Sequence, residues 1–196
     1  LKCHDKLHVV YNGINFSKLD VEKEPLELPV SKIDRPQGGQ TPLKLVMVGN
    51  FVPVRAQNSA CKFLKKIKDA GAVFDFYFVG KKSEAEPWRY DNCVAYCQEN
   101  GLTDCVHFLG GRGDVPQILK HVDAFIYATD HDTFGIAVIE AIAAGLPTFV
   151  NDWEVMTEVT GNGKWASIYK TNDAEDFCGK FMDFVNNVEL YKKQAI

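Results

Sequence analysis

Apolar residues recur along the chain in short runs, separated by polar stretches that carry glycine or proline. The run LKLVMVG (43–49) is apolar at nearly every position and ends in glycine, as a strand buried on both faces of a parallel sheet does. VFDFYFVG (73–80), CVHFLG (105–110), VDAFIYA (122–128) and LPTFV (146–150) repeat the pattern, and WASIYK (165–170) is a weaker sixth. Between them the spacing predicts helices over 58–70, closed by Gly71, and over 84–100, with Pro87 in the first turn and Gly101 as the stop. Asp114-Val115-Pro116 starts a short helix with Asp114 as its N-cap. Residues 153–159 read as a loop, and Asp173 caps a last amphipathic helix running to Asn186, or on to Lys193. Strand and helix alternate without a repeat, which specifies an α/β protein with a doubly wound, Rossmann-like parallel sheet. Ligands bind such sheets at the carboxyl ends of the strands, and the loops after Gly49, Gly80, Gly110 and Ala128 all leave that rim.

Ahead of the first run, KLHVVY (6–11) reads as a short strand stopped by the turn Asn12-Gly13. Residues 16–42 are polar and hold Pro25, Pro29, Pro36 and Pro42 with Gly38-Gly39. The expected division is an interdomain segment, 1–42, and a ligand-binding domain, 43–196.

The chain is organised around DHDTFGIAVIEAIAAGLPTFV (130–150). Polar residues able to cap a helix are followed by three almost wholly apolar turns, then by Gly145, Leu146 and Pro147, where a helix stops and a strand begins. A helix apolar all round is expected to lie buried against the sheet. Glu140 stands in its middle, and a buried carboxylate without a partner costs several kcal/mol. Its partner is either a Lys or Arg from elsewhere or the hydroxyls of a ligand. The spacing favours a ligand. Asp132 lies eight residues upstream, about 12 Å along a helix, and side chains lean toward the helix N-terminus. Between the two acids, the free amides of Thr133, Phe134, Gly135 and Ile136 would open the helix and attract phosphate, with Gly135 removing a side chain there. An anion site flanked by groups that take polyols describes a nucleotide diphosphate sugar, with its sugar at Asp132, its diphosphate at the amides and its ribose at Glu140.

An acidic residue, seven intervening residues that include Phe-Gly, then Glu-Ala-x-Ala-x-Gly-x-Pro resembles the acidic pair motif of retaining glycosyltransferases of family 4 with the GT-B fold. The resemblance covers residues 6–190 and implies the C-terminal, donor-binding half of such an enzyme. It implies that Asp132, where the family usually has Glu, contacts the donor sugar and that Glu140 contacts the ribose. After the first strand the family shows Gly-Arg-x-x-x-x-Lys-Gly, whose cations grip the diphosphate. Here Gly49-Asn50 opens the segment, Arg55 stands where the Lys would be, and Asn50 replaces the first cation, leaving Lys81 or Lys82 to compensate. Val79-Gly80-Lys81-Lys82 resembles the Val-Gly-x-Gly turn without its second glycine, and Phe108 to Arg112 resembles the strand and turn beside the base. The resemblance thus implies catalytic roles for Asp132, Glu140 and Arg55. The donor-binding set adds Gly49, Asn50, Gly80, Lys81, Gly110, Gly111, Arg112, His131 and residues Thr133, Phe134, Gly135 and Ile136. Glu158 matches a family Glu, and Trp153-Glu154 replaces a Gly-Gly.

Bulk properties narrow this picture little. The chain has 196 residues, 46% of them apolar, and a formal charge of −4. That suffices for one sizeable core and points to neither nucleic acid nor an anionic membrane surface. No run reaches the ~18 apolar residues of a membrane span. The chain begins at Leu1 without a signal peptide and reads as an excised piece. The scattered Cys3, Cys61, Cys93, Cys97, Cys105 and Cys178 read as reduced thiols, although Cys93 and Cys97 share a helix face. His4, His107 and His121 lack metal-ligand spacing, and neither a phosphate-binding Gly-x-x-x-x-Gly-Lys-Ser/Thr nor a Gly-x-Gly-x-x-Gly is present.

The expected function is donor binding in a retaining hexosyltransferase of polysaccharide biosynthesis, using a UDP- or GDP-sugar and a glycan or lipid-linked acceptor held by the missing N-terminal half. No metal or cofactor is expected, since the nucleotide sugar is a substrate. The placement is cytoplasmic, with membrane contact at the inner face through the missing half left open. The alternatives are a non-catalytic nucleotide-binding module acting with a partner chain, or a sugar-nucleotide epimerase of the same fold.

Overall fold

A computed structural model of the protein describes residues 13–31 and 41–195. The strand expected over 6–11, Asn12, His4 and Cys3 lie outside them. Six strands form one sheet: β1 (Leu43–Val48), β2 (Phe74–Val79), β3 (Val106–Gly110), β4 (Ala124–Tyr127), β5 (Thr148–Asn151) and β6 (Ser167–Tyr169). All neighbours are parallel and the order is β3-β2-β1-β4-β5-β6. The connecting helices are α1 (Gln57–Asp69), α2 (Trp88–Glu99), α3 (Val115–Leu119), α4 (Ile136–Ala143), α5 (Glu154–Val159), α6 (Ala174–Asn186) and α7 (Val188–Gln194). This is the doubly wound sheet that the alternation predicts. Winding runs outward from β1 to β3, then the chain returns to β1 and winds the other way. Between β1 and β4 the loops therefore part, and a crevice opens at their carboxyl ends.

Local expectations are refined at three points. Glu154–Val159 form α5 rather than a loop. Asp114 stands at the N-cap position of α3 as expected, but its side chain makes no capping bond and both of its oxygens accept from Arg112. Helix α2 begins at Trp88 rather than at residue 84. Asp173 does cap α6, accepting from the amides of Glu175 and Asp176, and Asn187 separates that helix from α7. Cys61, Cys93, Cys97, Cys105 and Cys178 are all free and buried.

Burial on both sides accounts for the apolar strands: every residue of β2 is buried. Aromatic rings fill the core. Phe63 and Phe177 stack at 4.9 Å, with Tyr169 edge-on to both, joining α1, α6 and β6. Phe78 and Phe108 stack at 5.2 Å beneath Phe51 and Tyr90. The segment before the sheet is a strap rather than a free linker. Leu28 is buried, the Tyr77 hydroxyl donates to Pro29 O at 2.8 Å, and Ser31 N donates to the buried Asp75 at 2.7 Å. His107 lies 3.2 Å from the same Asp75 oxygen.

The rim of the crevice depends on one close approach. At Gly80 a Cβ would sit 2.0 Å from the carbonyl oxygen of Gly49. The ends of β1 and β2 therefore touch backbone to backbone, and Gln57 fastens the same turn by donating to Gly49 O and Asn50 O at 3.2 and 3.0 Å. Gly80→Ala is expected to destabilise the protein by about 1–3 kcal/mol, as overpacking does. Urea denaturation measures it, and an unchanged midpoint would show that the strand ends part freely.

Candidate active site

A cavity of about 760 Å³ opens at this rim, the size of a small-molecule pocket. Gly49, Asn50 and Arg55 approach from the loop after β1, and Gly80 and Lys81 from the loop after β2. Gly111 and Arg112 follow β3. The loop after β4 and the first turns of α4 contribute Asp132, Thr133, Phe134, Gly135, Ile136 and Glu140. Of the residues expected from the sequence, Gly110 and His131 do not line the cavity. Gly110 takes a positive φ of 66° and accepts from Gly80 N, while His131 is exposed against Trp153 at 5.4 Å. Asp130 and Glu158 are exposed and do not line it either.

Asp132 organises the loop and is only 8% exposed. Its Oδ1 accepts from Thr133 N, Phe134 N and Gly135 N at 2.7, 3.1 and 3.2 Å. Its Oδ2 accepts from Arg55 Nη1 at 2.8 Å and from the Tyr127 hydroxyl at 2.6 Å. The Arg55 guanidinium also lies 5.2 Å from the Tyr127 ring centre. Burial pushes this carboxyl up, but the Tyr127 hydroxyl, the Phe134 amide, the Arg55 charge and the Thr133 amide outweigh it. The net result is a pKa below the ordinary value. Burial raises the pKa of Tyr127, which keeps its hydroxyl protonated as a donor.

This arrangement corrects the expectation of free amides at 133–135. They are capped by Asp132, so helix α4 starts three residues later, at Ile136, behind a left-handed Gly135 (φ 77°). A Cβ on Gly135 would also lie 2.6 Å from Met156 Cε. Among the described residues no acceptor takes the amides of Ile136 and Ala137, and both residues line the cavity. Helix α4 is not buried all round. Only Val138 and Ala141 are buried, and Ile136 is 47% exposed.

Glu140 is the opposite case from Asp132. It lines the cavity, and no described residue hydrogen-bonds or ion-pairs with its carboxylate. Burial pushes its pKa up, against a smaller downward pull from the Lys18 charge. The cations around it are mostly engaged: Arg55 with Asp132, and Arg112 with both oxygens of Asp114 at 2.7 and 2.5 Å.

Val48 at the end of β1, Gly113, Val115 of α3 and Ala137 also line the cavity and were not singled out from the sequence. Each lies within two residues of a turn glycine or is one, which was the available signal. Trp153 was also missed as a support, and its indole N–H donates to Asp132 O at 3.3 Å. Among the described residues, no group of three His, Cys, Asp or Glu is placed to hold a metal ion, and no helix is long and apolar enough to cross a membrane.

Residues 31–195 match the family of glycosyl transferases group 1. A stretch of 88 residues is 36% identical to the N,N'-diacetylbacillosaminyl-diphospho-undecaprenol alpha-1,3-N-acetylgalactosaminyltransferase of Campylobacter jejuni, covering 43% of this chain and 23% of that protein. The fold resembles that of Anabaena Alr3699/HepE solved with UDP and glucose, with a TM-score of 0.72 and 17% identity over 79% of this chain and 41% of that one. It also resembles the C-terminal domain of a glycosyl transferase group 1 protein, LpcC, from Francisella tularensis, with a TM-score of 0.70 and 12% identity over 78% of this chain and 80% of that domain. The chain spans about half or less of the length of the curated relatives it matches.

The two acids have opposite effects on stability. A carboxyl held below its ordinary pKa adds stability above that value and loses it as the pH falls through the folded one. Asp132→Asn puts an amide donor against Arg55 and Tyr127, and is expected to cost about 1–3 kcal/mol at neutral pH. That deficit narrows as the pH falls below 3.8, where the carboxyl of the unfolded chain takes up its proton, and closes as the pH falls through the lower folded value. A carboxyl held above its ordinary value costs stability once ionised. Glu140→Gln is therefore expected to be more stable than the parent at pH 7, with the difference vanishing below 4.5. Urea titrations between pH 3 and 8 read both; a parallel pair of profiles contradicts them.

Proposed function

The chain belongs to the family of glycosyl transferases group 1, and from that premise we propose that it is the donor-binding half of a retaining enzyme using a UDP- or GDP-sugar. The observation that carries this reading is Glu140, a partly buried carboxylate with no partner among the described residues, on the wall of a 760 Å³ cavity. Its burial costs stability, and the hydroxyls of a ribose would relieve that cost through charge-assisted hydrogen bonds. The diphosphate then falls on the amides of Ile136 and Ala137 at the positive end of α4. The glycyl turn at Gly111 and Arg112 faces the base. The sugar lies toward Asp132, whose carboxylate acts mainly through the loop it holds, since all of its nearest donors are already in place.

In the proposed reaction the bond between the sugar's anomeric carbon and the diphosphate breaks, and fixed amides and cations stabilise the departing charge. The acceptor attacks from the same face, so configuration is retained. The name of the Campylobacter relative describes transfer onto a sugar borne on diphospho-undecaprenol, and a lipid-linked or glycan acceptor is proposed here too. The acceptor would be held by a further domain across the crevice, so the present chain is expected to bind donor and transfer little. A cytoplasmic position, with any membrane contact made through that domain, fits such an acceptor. The proposal calls for no cofactor.

Calorimetry of this chain with UDP and GDP tests the reading. One of them is expected to bind, and Glu140→Gln to weaken it by roughly ten- to a hundredfold, the value of a hydrogen bond to a charged group. Binding of neither nucleotide, or equal binding by the variant, would falsify it.

A further inference from the structure

The cavity holds three cationic side chains that differ in what already occupies them. Arg55 is bonded to Asp132 at 2.8 Å, and Arg112 to both oxygens of Asp114. Lys82, the neighbour that could supply a charge, instead donates to both oxygens of Asp91 at 2.7 and 2.8 Å and lies over the Tyr90 ring. Among the described residues, only Lys81 lines the cavity with an ammonium that no acceptor claims.

Its backbone is held from two sides. The Asn50 side-chain oxygen accepts from Lys81 N at 2.8 Å, and Phe51 N donates to Lys81 O at 3.0 Å. Its aliphatic stem lies across Gly111, where a Cβ would come within 2.6 Å of Cγ and 2.9 Å of Cε. The stem is thus laid in a groove that exists because residue 111 has no side chain. A cation so confined loses less rotamer freedom when it meets a ligand than a free surface lysine would.

We infer that Lys81 is the side chain that grips the donor's diphosphate, supplying from the second loop the charge that Asn50 lacks in the first. Asn50 contributes by fixing where Lys81 starts. Arg55 belongs mainly to the frame, because drawing it toward a phosphate would strip the buried Asp132 of its counter-ion. The inference rests on the nucleotide-sugar reading and names the cation within it.

Calorimetry compares the parent, Lys81→Met, Lys81→Arg and Lys82→Met, each with UDP and GDP and with uridine and guanosine. Lys81→Met is expected to bind the diphosphate roughly tenfold more weakly, as loss of one charge-assisted hydrogen bond implies, and to bind the nucleoside like the parent. Lys81→Arg should keep most of the affinity, since a guanidinium also holds phosphate, and Lys82→Met all of it. If Lys81→Met binds the diphosphate like the parent, this inference fails while the nucleotide reading stands. A parent that binds neither diphosphate overturns both.

Discussion

Five donors converge on the carboxylate of Asp132, and the shape of the site follows from that convergence. Arg55 comes from 77 residues away, Tyr127 from the end of β4, and three amides from the loop itself. One oxygen caps the amides of 133–135, and the chain then turns through a left-handed residue before α4 begins. Only glycine takes that conformation without strain. Gly135 fills it, against Met156, and α4 starts at Ile136 on the wall of the cavity.

Around that frame, charge is distributed unevenly. Most ionic groups at the rim are matched in pairs: Arg55 with Asp132, Arg112 with Asp114, Lys82 with Asp91. Matched pairs hold loops in place and have little left to offer a ligand. Glu140 and Lys81 are the unmatched members, one of each sign, across the same cavity. Glu140 is the partly buried one of the two, and an unmatched buried charge lowers stability, so it marks a place where folding alone does not explain the residue. The exposed apolar side of α4, with Ile136 at the mouth, belongs to the same incompletely covered region.

Behind the rim the protein is built to hold still. The ends of β1 and β2 touch backbone to backbone at Gly49 and Gly80, Gln57 ties α1 to that turn, and stacked rings lock α1 to α6. At the opposite end of the sheet, buried Asp75 anchors the incoming strap through Ser31 and faces His107. Loops carrying ligand groups from four strand ends keep a fixed relation only when the sheet beneath them is rigid.

The six strands from residue 43 onward, helix alternation, the parallel sheet and the convergence of loops on one rim were legible in the chain, because burial imposes a periodicity that residues carry locally. Glu140 was legible for the same reason, as a charge in an apolar run. What the sequence alone could not reveal was pairing. Asp114 looks like a helix cap until Arg112 claims it, the amides at 133–135 look free until Asp132 turns back on them, and Lys81 and Lys82 look equivalent until Asp91 takes one. Helix α5, Glu154–Val159, likewise needed the loop that Trp153 at its N-cap supports before it made sense. Each of these depends on a partner that only folding brings near. A hydrogen bond is settled within a few tenths of an ångström in three dimensions, whereas sequence order constrains only neighbours along the chain.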